Sequence, residues 1–289
     1  MRIAAIVCVR NEQVHIARCL NDFVTDGIDV ILIDNGSEDR TVDVARGFLG
    51  RGLLSIESLP WNGAFELGAQ LALKKTIVAQ LEHDWVIHAD ADEWMRPPAP
   101  ETSLSAAIRR VDEEGFNCIN FDEMVFVPWP EESFEDGNYV QRMTTYYFFE
   151  PRPLRLMRAW RRSIDADNTQ SGGHTLRSGQ LKASPESFVL RHYIALSHAH
   201  AVAKYVGRRF ASDEIGRRWH LNRLGVTAAN LVVVPSPYLK RLELWSSGSF
   251  DRSAPAKTHY WQWQDGETAS IDRASRIPIP PDVGLHASE

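Results

Sequence analysis

Cysteine is scarce. Cys8, Cys19 and Cys118 are the only three, far apart and without a Cys-x-x-Cys spacing, which argues against a disulfide framework or a cysteine zinc site and points to a reducing compartment. Long hydrophobic runs are also missing. Nothing approaches the roughly 18 to 20 apolar residues that a membrane crossing requires, so no transmembrane segment is predicted and only peripheral membrane contact is left. The apolar stretch 3–9 is closed at once by Arg10, Asn11 and Glu12, too short for the core of a secretory leader; it reads as a buried strand. The expected location is the cytoplasm, with the inner face of the membrane as the surface within reach. No internal repeat, long low-complexity tract or RNA- or DNA-recognition motif occurs, and a formal net charge of −6 argues against nucleic acid as a partner.

What is present is ordinary globular composition: 289 residues, 44% hydrophobic and 24% charged, enough to bury a sizeable core. Charge is distributed unevenly, with a net −14 over residues 1–150, +10 over 151–250 and −2 beyond. An acidic early part facing a basic later part suits an anionic ligand held between them, with a metal on the acidic side; solvated surface is the plain alternative.

Periodicity predicts strands at 3–9, 30–33, 53–59 and 85–88, alternating with helices over 12–24, 40–49 and 64–81. Such alternation implies an α/β fold, a mixed and mainly parallel sheet flanked by helices. Later elements are a helix over 103–114 and strands at 118–127, 146–149 and 154–159. A polar loop at 165–173 follows, then a basic helix or helix pair over 197–221, interrupted near Gly216, as a C-terminal elaboration. Residues 276–289, rich in proline, read as an extended tail. In open α/β sheets, ligands collect at the carboxyl ends of the strands. Four polar clusters follow predicted strands there: Arg10-Asn11-Glu12, Asp34-Asn35, Asn62-Gly63 and Asp90-Ala91-Asp92-Glu93.

Asp90 and Asp92 stand immediately after a buried strand, where a carboxylate is costly without a cation or hydrogen-bond donors. Mg²⁺ or Mn²⁺ removes that cost, since it takes oxygen ligands and is commonly shared between one or two carboxylates and substrate phosphates. A solvated turn with Asp92 or Glu93 capping a helix is the bland alternative. His192 follows the apolar stretch Phe188–Leu190 and is expected to emerge at a strand end, where it could serve as a third metal ligand or play the structural part more usual for a lone histidine. His200, Lys204 and Arg208 recur every four residues and would share a helix face able to meet a diphosphate, Lys204 foremost.

The segments 3–12, 30–41 and 85–94 resemble, in order and spacing, the family 2 glycosyltransferases of GT-A fold, and in particular the subgroup with an Asp-x-Asp-Glu motif. The resemblance is good over residues 3–95. It implies that Val9, Arg10, Asn11 and Glu12 line a nucleotide pocket and that Asp34 contacts the base or ribose. It further implies that Asn62 and Gly63 complete the nucleoside site, that Asp90, Ala91 and Asp92 form the metal-binding motif, and that a later histidine, here His192, joins the ion. The organisation that follows is a transferase unit over 1–222, with a nucleotide half at 1–95 and an acceptor half at 96–222, and an extension and tail over 223–289. The implied reaction is metal-dependent transfer of a sugar from a nucleoside-diphosphate sugar, with a UDP-sugar favoured, to a saccharide or glycoconjugate hydroxyl with inversion. Inversion needs a general base. Glu93, Asp122 and His174 are the leading candidates, with Glu123, Asp165 and Asp167 also in range. Two other readings keep parts of this chemistry: a sugar-phosphate nucleotidyltransferase, against which the first loop lacks a Gly-rich phosphate signature followed by Lys, and a non-catalytic nucleotide-sugar-binding module.

Overall fold

A computed structural model describes residues 1–263 apart from Arg218 and Ser247; the tail expected over 276–289 lies outside the described residues. The chain opens with β1 (Ile3–Val9), buried along its whole length, as expected of an apolar run that sits inside a parallel sheet and is covered on both faces. α1 (Ile16–Thr25), β2 (Asp29–Asp34), α2 (Thr41–Arg46), β3 (Leu53–Ser58), α3 (Leu67–Gln80) and β4 (Trp85–Asp90) follow. β1 pairs in parallel with β2 on one side and β4 on the other, and β2 pairs in parallel with β3. Its register sets Val9 opposite Asp34 and Cys8 opposite Asp90. After β3 the chain crosses over β1 to lay down β4, so the strand order reverses between β1 and β4. That switch point opens a crevice at the strands' carboxyl ends.

The second half comprises β5 (Glu93–Arg96), α4 (Leu104–Glu113), β6 (Cys118–Phe126), α5 (Tyr139–Arg142), β7 (Thr145–Phe149), β8 (Met157–Arg161), β9 (Phe188–Tyr193), α6 (His198–Tyr205), α7 (Ser212–Gly216) and β10 (Lys240–Arg241). The sheet path runs β10-β7-β6-β8-β4-β1-β2-β3, with β9 paired to both β5 and β6. β8 joins β4 and β6 antiparallel, and β9 runs parallel to β6 and antiparallel to β5. The fold is thus a mixed α/β sheet flanked by helices. One apolar cluster, including Val7, Leu20, Leu32, Trp85 and Ile108, fills the first half; burying each such side chain contributes about 1.5–3 kcal/mol. A second cluster seats Leu231, Tyr260 and Trp261 against Val125 and Tyr147, so the described part of the extension packs on the sheet.

Several boundaries move for physical reasons. α1 starts at Ile16 rather than residue 12, because 12–15 form a turn in which the Glu12 carbonyl accepts from the backbone of His15 and Ile16. The basic segment is interrupted near Gly216, where α7 ends, and also earlier, after Tyr205, where Val206 is extended and Gly207 takes φ +73°, a conformation that favours glycine. Arg208 therefore leaves the helix and does not share a face with His200 and Lys204; its guanidinium lies 4.3 Å from the Phe65 ring centre. The strand expected at 154–159 starts at Met157, since Leu154 has φ +49°. His192 is the penultimate residue of β9, opposite Glu93, and so stands at the strand end as expected.

Candidate active site

The crevice wall is built by two loops tied to each other. Asn11, with φ +56°, accepts from the Glu38 backbone at 2.8 Å and donates its own N–H to Ser37 Oγ at 3.0 Å. The Glu12 N–H donates to Thr41 Oγ1 at 2.8 Å and the Gln13 N–H to Asp39 Oδ2 at 3.1 Å. Asn11 thus fastens the loop after β1 to the loop after β2 and does not cap α1. Arg10 donates to the carbonyls of Asn35 and Gly36 and pairs with Glu38, while its guanidinium lies 4.0 Å over the Trp61 ring. Gly36, at φ +68°, leaves room for that stack, since a Cβ there would stand 2.8 Å from Trp61 Cβ.

The opposite wall comes from β4, β5 and β9. Glu93 turns back so that its Oε2 accepts the Asp90 N–H at 3.0 Å, while Arg158 donates to Glu93 Oε1 at 2.8 Å and to Asp90 Oδ2 at 3.3 Å. Asp92 is buried and points the other way, accepting from Lys204 Nζ at 2.7 Å. Its carboxylate also meets His192 Nε2 at 3.3 Å, and His192 Nδ1 lies 2.7 Å from Glu123 Oε1. Arg155 pairs with the other oxygen of Glu123. Lys204, in the last turn of α6, reaches Glu12 at 3.4 Å as well as Asp92. Ser197 holds that helix in place, its Oγ accepting the His200 N–H at 2.9 Å, as an N-cap does.

Burial is the largest single influence on these groups, and neighbouring charges decide whether it prevails. It raises Glu12 to about 7, against the pull of Lys204, and raises Glu93 against that of Arg158. For Asp92, burial acts in the same upward direction, but Lys204 and His192 outweigh it and hold the carboxyl well below its usual range. Lys204 and His192 are both raised, because the neighbouring carboxylates more than offset desolvation. His174 and His259 are held well below 6.5, first by burial and then by nearby arginines.

Two cavities meet at this wall. The first, about 500 Å³, is lined by Val9, Arg10, Asn11, Glu12, Trp61, Asp90, Ala91, Asp92, His192 and Lys204, among others. The second, about 420 Å³, lies against Glu93, Glu123, Arg155, Arg158, His174 and Trp219. Phe65, Asp90, His192 and Arg223 border both.

Not every expected residue lies there. Asp34 lines neither cavity and accepts the Ser37 N–H at 3.1 Å in a tight turn. Asn62 and Gly63 are exposed at the loop surface, and the neighbouring Trp61 faces the crevice in their place. Asp122 points to the other face of β6 and pairs with Arg252 at 2.6 Å; strand alternation turns the adjacent Glu123 inward. Glu93 and His174 do line the second cavity, with Glu93 held by Arg158. Asp167 pairs with Lys75, away from both cavities. Arg155, Arg158 and Trp61 are the principal residues that sequence reasoning did not place, whereas Glu123 stood among the further base candidates; the arginines recur at spacing three from 152 to 158, a density that could have flagged them.

The donor chemistry of a divalent cation is present in part. Among the described residues, no group of three or more His, Cys, Asp or Glu is gathered as a metal cluster, and Asp90 is turned toward Arg158. Asp92 and His192 nevertheless face each other, and the Glu123 carboxylate on the far nitrogen of His192 is the second-sphere contact that orients a ligating imidazole. One or two protein ligands suffice for Mg²⁺ or Mn²⁺ where phosphates supply the rest.

The family model described as glycosyl transferase family 2 matches residues 4–166. An uncharacterized glycosyltransferase of Rickettsia typhi and another of Rickettsia prowazekii are each 29% identical to this chain over 92 residues, 32% of this chain. The matched segment covers 28% of the length of those relatives. Among solved structures, S. aureus TarS in complex with UDP is similar at 14% identity and a TM-score of 0.44, over 74% of this chain and 68% of that one. Glucosyl-3-phosphoglycerate synthase from Mycobacterium tuberculosis, in complex with Mn²⁺, UDP-glucose and phosphoglyceric acid, is similar at 16% identity and a TM-score of 0.38, over 82% of this chain and 81% of that one.

Proposed function

Since the chain belongs to glycosyl transferase family 2, we propose that it transfers a sugar from a nucleoside-diphosphate sugar, a UDP-sugar foremost, to a hydroxyl of a saccharide or glycoconjugate. The observation that carries this reading is the convergence of Glu12, Asp92, His192 and Lys204 at the carboxyl edge of the parallel strands, beside a cavity large enough for a nucleotide. Trp61, braced by Arg10, offers the flat apolar face on which a base stacks.

In this reading the first cavity holds the nucleoside diphosphate and the second the acceptor, with the anomeric carbon at their shared border near Asp90 and His192. Lys204 and Arg208 face the donor side and stabilise the negative charge that grows on the leaving diphosphate. Asp92 and His192, with Asp90 adjacent, would hold Mn²⁺ or Mg²⁺, which as a Lewis acid would neutralise diphosphate oxygens. Asp92 orients Lys204, and Glu123 orients His192. Glu93 and Arg158 fix the backbone of the Asp90 turn. Asp90, Glu93 and Glu123 are the carboxylates that face the acceptor side, so the proton of the attacking hydroxyl has its acceptor among them rather than on Asp122. The unit over 1–222 is proposed to carry the reaction and 223–263 to close the acceptor side.

The test is product analysis with UDP-, GDP- and dTDP-sugars in the presence of Mn²⁺. Release of a nucleoside diphosphate supports glycosyl transfer; release of pyrophosphate in a parallel arm supplied with a nucleoside triphosphate and a sugar 1-phosphate supports the nucleotidyltransferase reading, and no nucleotide-dependent change of any kind supports a binding module.

A further inference from the structure

Lys74 projects from α3 into the second cavity, only 4% exposed. Among the described residues it has no carboxylate and no hydrogen-bond partner, whereas its neighbour Lys75 is exposed and pairs with Asp167 at 2.7 Å. Its Nζ is not sealed in the core but keeps accessible surface toward the cavity, so the ammonium is offered to whatever the cavity holds. Two more cations border the same cavity without an anionic partner among the described residues. Arg223 lies 5.7 Å from the Tyr205 ring, and Arg152 stands exposed at the rim. The carboxylates of this wall are already engaged, Glu93 and Asp90 by Arg158 and Glu123 by Arg155. Five cations, Lys74, Arg152, Arg155, Arg158 and Arg223, thus face the three carboxylates Asp90, Glu93 and Glu123, an excess of two positive charges. Its field is felt by the histidines nearby: after burial, Lys74 is the next cause holding His88 neutral, and Arg155, Arg158 and Arg223 act in the same way on His174.

A pocket for an uncharged sugar has no need of such an excess. We infer that the acceptor itself is anionic, carrying a phosphate or carboxylate group that Lys74, Arg223 and Arg152 bind while its hydroxyl is presented at the border with the donor cavity. Arginine supplies paired donors that match either oxyanion and lysine a compact charge, and Trp219 on the same wall gives the sugar ring an apolar face. This inference rests on the donor and acceptor assignment proposed above, and its test is read separately from it.

The experiment is calorimetric titration of inorganic phosphate, and in a parallel arm acetate, into the full chain with and without saturating UDP. Wild type is expected to take up one oxyanion in both conditions, and the stronger arm identifies the group. Lys74→Met and Arg152→Gln are expected to weaken that binding at least tenfold while leaving UDP affinity unchanged; Arg152 is exposed, so its variant decides the matter should Lys74→Met fail to fold. Binding that survives both substitutions, that is lost in Lys204→Met instead, or that UDP displaces puts the anion in the first cavity and overturns the inference, as does the absence of any oxyanion binding. Absence of UDP binding would count against the donor assignment alone and leaves the phosphate comparison readable.

Discussion

Lys204 donates to Asp92 over 2.7 Å, joining the last turn of α6 to the turn between β4 and β5 across 112 residues of sequence. The pair puts a partly buried positive charge beside a buried negative one at the mouth of the switch-point crevice, where a diphosphate would need both a cation and a means of holding that cation in place. Lys204→Met is predicted to lower kcat by about two to three orders of magnitude, the usual effect of removing one preorganised charge partner from a developing anion. Steady-state kinetics with the donor sugar checks this.

Glu123 and Asp122 give a sharper contrast because they are adjacent in sequence and opposed in space. Asp122→Asn removes a partly exposed pair with Arg252, worth about 0–1 kcal/mol, and should leave turnover unchanged. Glu123→Gln deprives Arg155 and His192 of their shared carboxylate. Breaking a buried pair costs about 3–5 kcal/mol, so both the melting temperature and the activity of this variant should fall. The reverse pattern in parallel melts and assays would return the base to Asp122.

Trp61→Ala is expected to weaken nucleotide binding. The stack of Arg10 on the indole contributes about 0.5–2 kcal/mol in comparable pairs, and the variant also removes the platform offered to the base. Fluorescence or calorimetric titration of UDP should show the loss, and losing the stack should lower the melting temperature by about 2–4 °C per kcal/mol.

Acid should destabilise the fold through its buried histidines. His88 is 2% exposed, and its Nδ1 lies 3.1 Å from the Asn168 amide nitrogen; burial holds its pKa well below 6.5. Below 6.5 the unfolded chain binds a proton that the folded chain refuses, so His88 adds stability at neutral pH that is lost as the pH falls. The loss approaches about 1.4 kcal/mol per pH unit for one such group. His192, whose pKa is raised, acts in the opposite sense, its contribution being lost as the pH rises. Urea unfolding between pH 6.5 and 5 should therefore give a shallower pH dependence for His88→Gln than for wild type; equal slopes would mean that His88 titrates freely in the native state.

The parallel half was legible because its signals are local. The apolar runs of β1, β2 and β4 declare buried strands, and the polar clusters that close them fall at the sheet edge by topology alone. Elsewhere the deciding contacts are distant in sequence. Gly207 and Gly216 are equivalent as helix breakers until packing puts Arg208 against Phe65, and Asp122 and Glu123 exchange roles with a one-residue change of strand phase. That phase is fixed by β9, whose neighbours on the sheet lie about 65 to 100 residues upstream. Asp34 carries the right chemistry in the right place, yet its carboxylate is taken up by the turn it starts. Arg155 and Arg158 escaped notice because their partners Glu123 and Glu93 are joined to them only by the fold.

The central claim is that the paired acid at position 92 works with Lys204 and His192 to receive a metal-bound nucleoside diphosphate. Calorimetric titration of UDP into wild type and Asp92→Asn, each with and without Mn²⁺, tests it most directly. The account predicts that Mn²⁺ strengthens UDP binding to wild type at least tenfold and that Asp92→Asn abolishes this gain without unfolding. Binding that is equally strong with and without the metal, or a gain that survives in Asp92→Asn, would contradict it.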